Sequence, residues 1–208
     1  MTSDNQPQRF NTLTDRARFY TRDLTGTLGR KLHEIGVHPD AITAVGLLIV
    51  AIAAYVAAQG HFFWAGLIML LGTPLDALDG AVARAMQRTD RFGALFDSTL
   101  DRYADGFIFM ALAYHASVAG NERVMLLSMV ALLGSLLVSY VRARAEGLNV
   151  DCKVGVLTRM ERIVIIIAML LTGWIEAGLW LLAIGTHVTV IQRVWYVHRT
   201  LSREGSAS

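Results

Sequence analysis

The sequence is poor in charge and almost without cysteine. Of its 208 residues only 17% are Asp, Glu, Lys or Arg, against 54% hydrophobic, and the mean hydropathy is +0.44. That balance excludes an ordinary soluble domain of this length and points to a chain that crosses a membrane several times. A single cysteine, Cys152, excludes an intramolecular disulfide and leaves no cysteine set for zinc. The six histidines are scattered and match no metal-ligand spacing, so they read as structural or interfacial. The opening Met-Thr-Ser-Asp-Asn-Gln-Pro-Gln-Arg9 lacks the basic-then-apolar pattern of a cleavable signal. The net charge of +2 argues neither for nor against nucleic acid, and nothing in the chain requires it as a partner.

What is present is a series of apolar runs near 41–59, 61–86, 93–118, 122–147, 158–174 and 177–199, each read as a membrane span. They predict an all-α integral membrane protein of six transmembrane helices, preceded by an amphipathic interfacial helix over 10–35. In that arm Phe10, Leu13, Ala17, Tyr20, Leu24, Leu28 and Leu32 recur at helical spacing. Arg9, Arg16, Arg18, Arg22, Arg30 and Lys31 occupy the other face, as on a helix lying in a membrane surface. The same pattern also suits a solvated helix packed on its own domain. His38-Pro-Asp40 ends the arm, with Asp40 placed to cap the next helix. The division is then a cytoplasmic arm over 1–40, a six-helix transmembrane domain over 41–200 and a short cytoplasmic tail over 201–208. With both termini cytoplasmic, the outer turns fall near Gly60, Gly120 and 173–176. Of the 19 Lys and Arg residues only Arg123 then lies outside, which satisfies the positive-inside rule.

Four aspartates stand at the cytoplasmic ends of two of these runs. Asp76 and Asp79 lie in Thr73-Pro-Leu-Asp-Ala-Leu-Asp-Gly-Ala-Val-Ala-Arg84, and Asp97 and Asp101 in Gly93-Ala-Leu-Phe-Asp-Ser-Thr-Leu-Asp101. Carboxylates beside lipid-length apolar runs are costly, which marks them as a functional site. Spacings of three and four put each pair on one helix face. Two such faces opposed across a helix pair offer carboxylate oxygens to hard divalent cations, two of them. Taken singly, each aspartate also suits a helix cap, and Gly80 and Ala83 also suit helix packing. Pro74 removes a backbone donor and is expected to kink or loosen the second span.

The run Asp76-x-x-Asp79-Gly80-x-x-Ala83-Arg84, eight residues, then Gly93-x-x-x-Asp97-x-x-x-Asp101, resembles the signature of the CDP-alcohol phosphotransferases at every defining position. The resemblance implies an enzyme that moves the phosphoryl-alcohol part of a CDP-linked donor onto a second alcohol, with CMP leaving. It implies Mg2+ or Mn2+ held by Asp76, Asp79, Asp97 and Asp101, with Asp101 also the general base. Asp79, Gly80, Ala83 and Arg84 would meet the donor: Gly80 lets the nucleotide approach the backbone, and Arg84 pairs with phosphate. Gly93 lets the third helix begin close to the second. Pro39-Asp40-Ala-Ile-Thr43 resembles the family's Pro-Asn-x-x-Thr, with aspartate for asparagine, and makes Thr43 a nucleotide contact. The family also implies a homodimer, for which Ala111, Ala113, Ser128 and Gly134 are expected at the interface.

The acceptor is a separate question. Phe96-Asp-Ser-Thr-Leu-Asp-Arg-Tyr-Ala-Asp-Gly106, Ser139-Tyr-Val-Arg-Ala-Arg-Ala-Glu146 and Arg159-Met-Glu-Arg162 are similar to the phosphatidylinositol phosphate synthase branch and its archaeal-lipid relatives. Arg142 stands there in place of a common lysine. Arg142, Arg144, Arg159, Arg162 and Arg193 would bind the phosphate of a phosphorylated polyol, or else anchor the domain to anionic headgroups. Arg159 and Arg193 are expected to face that phosphate well away from the CDP diphosphate. Glu146 and Glu161 are expected to hold the arginines in place. The reading is transfer from a CDP-activated lipid, CDP-diacylglycerol first, to an inositol phosphate at the plasma membrane, with the active site facing the cytoplasm. Glycerol 3-phosphate or another alcohol is the alternative acceptor. A divalent-cation transporter is the alternative of another class, disfavoured because no acidic or histidine ligand sits mid-span in the outer halves.

Overall fold

The computed structural model describes residues 39–85 and 91–205, and for residues 39, 74–85, 91 and 204–205 it describes the backbone alone. The amphipathic helix expected over 10–35 lies outside the described residues. Among the described residues six helices follow in order: α1 Pro39–Ala58, α2 Phe62–Ala85, α3 Arg91–Val118, α4 Glu122–Glu146, α5 Arg159–Thr172 and α6 Ile175–Gly205. α1 opens on Pro39, with Asp40 in its first turn rather than before it. Proline suits that position because its missing N–H would be unpaired there in any case. α2 runs through Pro74 without a break. One residue earlier, Thr73 Oγ1 donates to the carbonyl of Met69 at 2.8 Å.

α1, α3 and α5 each end at a short turn centred on Gly60, Gly120 or Gly173, all at positive φ. That conformation closes a helix end and is open to glycine at little cost. After the second of these turns, Asn121 caps α4 by accepting from the Val124 amide at 3.2 Å. Past the third, α6 continues to Gly205, beyond the limit near 199 that apolarity suggests. A helix does not need an apolar sequence to continue, and Thr200 Oγ1 is bonded to the carbonyl of Tyr196 at 3.0 Å.

The packing order is not the chain order. Among the described residues α1 packs on α2 and α3, α2 on α5, α5 on α6, α6 on α4, and α4 on α3. The six helices thus close a ring in the order α1–α2–α5–α6–α4–α3. Small residues allow the close approach: Ala53, Ala57, Ala65 and Ala131 are fully buried. A Cβ on Gly134 would lie 2.0 Å from Thr186 Oγ1, so α4 and α6 meet almost at backbone distance. Ala111 and Ser128 are buried too. These three residues, expected at a dimer interface, instead pack inside the protomer, Gly134 of α4 directly against α6.

The outside is apolar. Leu48, Trp64, Leu71, Leu126, Ile184 and Ile191 are among many exposed large hydrophobic side chains, a surface that only lipid or a partner can cover. Among the described residues three helices, α1, α4 and α6, are long and apolar enough to cross a membrane, and α2 adds the apolar stretch Phe62–Thr73. α3 is a continuous helix whose apolar sequence is interrupted by Asp97, Asp101, Arg102 and Asp105. α5 has 14 residues, about 21 Å of helix against a hydrocarbon core of about 30 Å.

Candidate active site

The ring encloses two adjoining spaces. A narrow, mostly apolar cleft lies among α1, α2, α3 and α5, with Thr43, Gly72 and Thr73 on one side and Asp101, Asp105 and Arg159 on the other. A larger cavity of about 560 Å³ lies among α3, α4, α5 and α6, within the range of about 300–1,000 Å³ usual for small-molecule sites. Asp101, Asp105 and Arg159 line both spaces and form the boundary between them.

Asp97, Asp101 and Asp105 follow at four-residue intervals on α3 and all line the cavity. Asp101 forms an ion pair with Arg159 at the start of α5, and Arg102 Nη1 lies 3.6 Å from its other oxygen. Asp105 is held by two partners. Ser135 Oγ on α4 donates to it at 2.6 Å, and Arg162 Nη2 on α5 donates to the same oxygen at 3.2 Å.

Five arginines arrive from four helices. Arg102 on α3, Arg142 on α4, Arg159 and Arg162 on α5, and Arg193 on α6 all line the cavity. Arg162 and Arg193 are buried, at 2% and 3% exposure. Arg193 is fixed by neutral partners: its Nε donates to the Val154 carbonyl at 2.9 Å and its Nη1 to the Val138 carbonyl. The 150–158 connection supplies the first of these and is itself tied to α6. The amide of Leu157 donates to Thr189 Oγ1 at 3.0 Å, and that of Val156 to Gln192 Oε1 at 3.2 Å. Gly155, at φ +131°, lies so near α6 that an added Cβ would meet Thr189 Cγ2 at 2.4 Å.

Several expectations change here. Arg144 is exposed and does not line the cavity. Two residues along a helix turn it by about 200° from Arg142. Arg159, expected to face only the acceptor phosphate, also reaches across to Asp101. Glu146 does pair with Arg142, at 2.9 Å. Glu161 turns back instead, accepting from the Thr158 amide at 2.9 Å and from the Thr158 hydroxyl. This pairing closes the N-terminus of α5. Asp105, Ser135 and Thr158 received no role from the sequence alone. The four-residue step from Asp97 through Asp101 to Asp105 was the available signal for the first, and the stripe Ser135, Ser139, Arg142 and Glu146 for the second.

The metal-binding reading rests on two described side chains and two others. Asp97 and Asp101 share a wall of the cavity, and oxygen-only ligands suit hard divalent cations. Asp76 and Asp79 belong to the C-terminal end of α2, where only the helical backbone is described, as do Gly80, Ala83 and Arg84. Among the described residues α2 and α3 do not pack directly but face one another across the cleft. Among the described residues no three carboxylate or histidine ligands come together, so the α3 carboxylates would hold such an ion only as part of a larger set.

Comparison with known proteins agrees with this architecture. The archaetidylinositol phosphate synthase of Methanothermobacter thermautotrophicus is 39% identical over 173 residues, 80% of this chain and 86% of that protein. The crystal structure of Mycobacterium tuberculosis phosphatidylinositol phosphate synthase with CDP-DAG bound superposes with a TM-score of 0.78 at 28% identity, covering 84% of this chain and 94% of that one. The same enzyme in complex with manganese and citrate gives a TM-score of 0.77 at 28% identity, covering 83% and 88%. The family model for CDP-alcohol phosphatidyltransferase matches residues 36–191, and the chain belongs to that family.

Proposed function

We propose that this protein transfers the phosphatidyl group of CDP-diacylglycerol to an inositol phosphate, releasing CMP. The observation that carries the reading is the position of Asp101, on the boundary between a cleft that holds Thr43 and a cavity lined by five arginines. A donor in the cleft and a phosphorylated acceptor in the cavity would meet at this carboxylate. The names of the related enzymes support the same donor and acceptor.

Arg142, Arg159, Arg162 and Arg193 bind the acceptor's phosphate, and charge-assisted bonds from several directions orient its hydroxyl. Arg144, outside the cavity, faces the headgroup region. Asp101 takes the hydroxyl proton as the oxygen bonds to the phosphorus bearing the lipid and the bond to CMP breaks. Thr43, Asp79, Gly80, Ala83 and Arg84 hold the nucleotide end of the donor. Asp76, Asp79, Asp97 and Asp101 would hold two divalent ions, Mg2+ or Mn2+, whose charge offsets that of the diphosphate. The wider organisation in this reading is six spans over 41–200, a cytoplasmic arm over 1–40 and a tail over 201–208. Both termini and the active site face the cytoplasm at the plasma membrane, and two protomers pair, each with its own site.

The test is CMP release in detergent or nanodiscs with magnesium, CDP-diacylglycerol and either inositol phosphate or free inositol. Turnover with the phosphorylated form alone supports the reading. Equal turnover with free inositol removes the phosphate pocket from it.

A further inference from the structure

Four of the five cavity arginines are met by a carboxylate: Arg102 and Arg159 by Asp101, Arg142 by Glu146 and Arg162 by Asp105. The pairs differ in depth. Arg142 and Glu146 are half exposed, whereas the side chains of Arg162 and Asp105 are 3% and 12% exposed. A buried guanidinium without a counter-charge is strongly unfavourable, so Arg162 depends on Asp105 in a way that Arg142 does not depend on Glu146. The geometry adds direction to charge. Both Ser135 Oγ and Arg162 Nη2 bond the same oxygen, Oδ2 of Asp105, so the carboxylate links α4 to α5 through α3. Arg162 Nε is buried and has no hydrogen-bond partner. Its side chain is therefore aimed by one polar partner among the described residues, the Asp105 oxygen.

We infer that Asp105 is a positioning residue for the transfer reaction: its carboxylate, steadied by Ser135, aims Arg162 at the acceptor phosphate. This deepens the proposed function and rests on its reading of the cavity as the acceptor site. Asp105 lines both spaces, and its role in this inference is to set the direction of the guanidinium that meets the acceptor, so that its replacement acts on acceptor binding through Arg162.

The test is a double-mutant cycle in the full-length protein, with KM for inositol phosphate and for CDP-diacylglycerol measured separately. Asp105→Ala raises the acceptor KM about tenfold, one decade or about 1.4 kcal/mol, and changes the donor KM less than about twofold. In an Arg162→Ala background the same substitution has no further effect on acceptor KM. Asp105→Asn, which keeps an oxygen for Nη2, falls between wild type and Asp105→Ala, and provides the measurement if the alanine variant does not fold. Ser135→Ala moves the acceptor KM in the same direction by a smaller factor. Equal loss in both backgrounds, or a rise in donor KM, would overturn the inference. Unchanged acceptor KM in both Arg162→Ala and Arg193→Ala would instead overturn the acceptor-site reading beneath it.

Discussion

Arg159 of α5 pairs with Asp101 of α3 across the boundary between the cleft and the cavity. The residue expected to act as base and a residue expected to bind the acceptor phosphate are thus direct partners. In the proposed reaction Arg159 would serve both halves, and Arg193, held by backbone carbonyls of Val138 and Val154, would serve the acceptor half.

That difference separates two variants. Arg193→Ala is expected to raise the acceptor KM by about tenfold to a hundredfold, the loss of a charge-assisted bond of roughly 1.5–3 kcal/mol, with donor affinity nearly unchanged. Arg159→Ala is expected to reduce kcat as well, because it removes a partner of Asp101. Steady-state kinetics with each substrate varied in turn checks both. An Arg193→Ala enzyme that loses CDP-diacylglycerol binding would place Arg193 on the donor side.

Asp101→Asn keeps the size of the side chain and one acceptor oxygen but cannot take a proton. Turnover is expected to fall by about 10²–10⁴, the usual contribution of a general base, with further loss from weakened metal binding. CDP-diacylglycerol should still bind. Near-normal CMP release from this variant would remove Asp101 from the base role.

Gly155→Ala is expected to act at a distance. Alanine is strained at φ +131° by roughly 1–3 kcal/mol, and its Cβ would meet Thr189. The connection must shift, taking the Val154 carbonyl away from Arg193. Acceptor KM should therefore rise more than donor KM. An unchanged acceptor KM would mean that Arg193 does not rely on that carbonyl.

Gly134→Ala tests the ring rather than the chemistry. The added methyl meets Thr186 Oγ1, which already donates to the Leu182 carbonyl at 2.7 Å. Overpacking of this kind costs roughly 1–3 kcal/mol, so the melting temperature in detergent should fall. An unchanged melting temperature would show that α4 and α6 can separate freely at this crossing.

The helices themselves were legible in the sequence because a long apolar run leaves few alternatives in lipid. Their turns were legible too, from Gly60, Gly120 and Gly173. The ring order was not, since the periodicity of a helix defines its apolar face but not the neighbour that covers it. The same limit explains Gly134, a small residue that suits a dimer contact or α6 equally well. At the site, Asp97 and Asp101 were marked by motif spacing. Asp105 continues that spacing but gains its meaning from Ser135 and Arg162, which lie 30 and 57 residues away. Arg142 and Arg144 are alike in sequence and separate only when the helix turns one inward and the other out.

The central claim is that Asp101 lies between a CDP-lipid site and a site for a phosphorylated inositol. The direct measurement is CMP release from CDP-diacylglycerol with magnesium or manganese present, comparing inositol phosphate with glycerol 3-phosphate and identifying the lipid product by mass. The account predicts phosphatidylinositol phosphate and stoichiometric CMP with the first acceptor, little with the second, and none after chelation of divalent ions. Efficient transfer to glycerol 3-phosphate, with inositol phosphate inert, would contradict it.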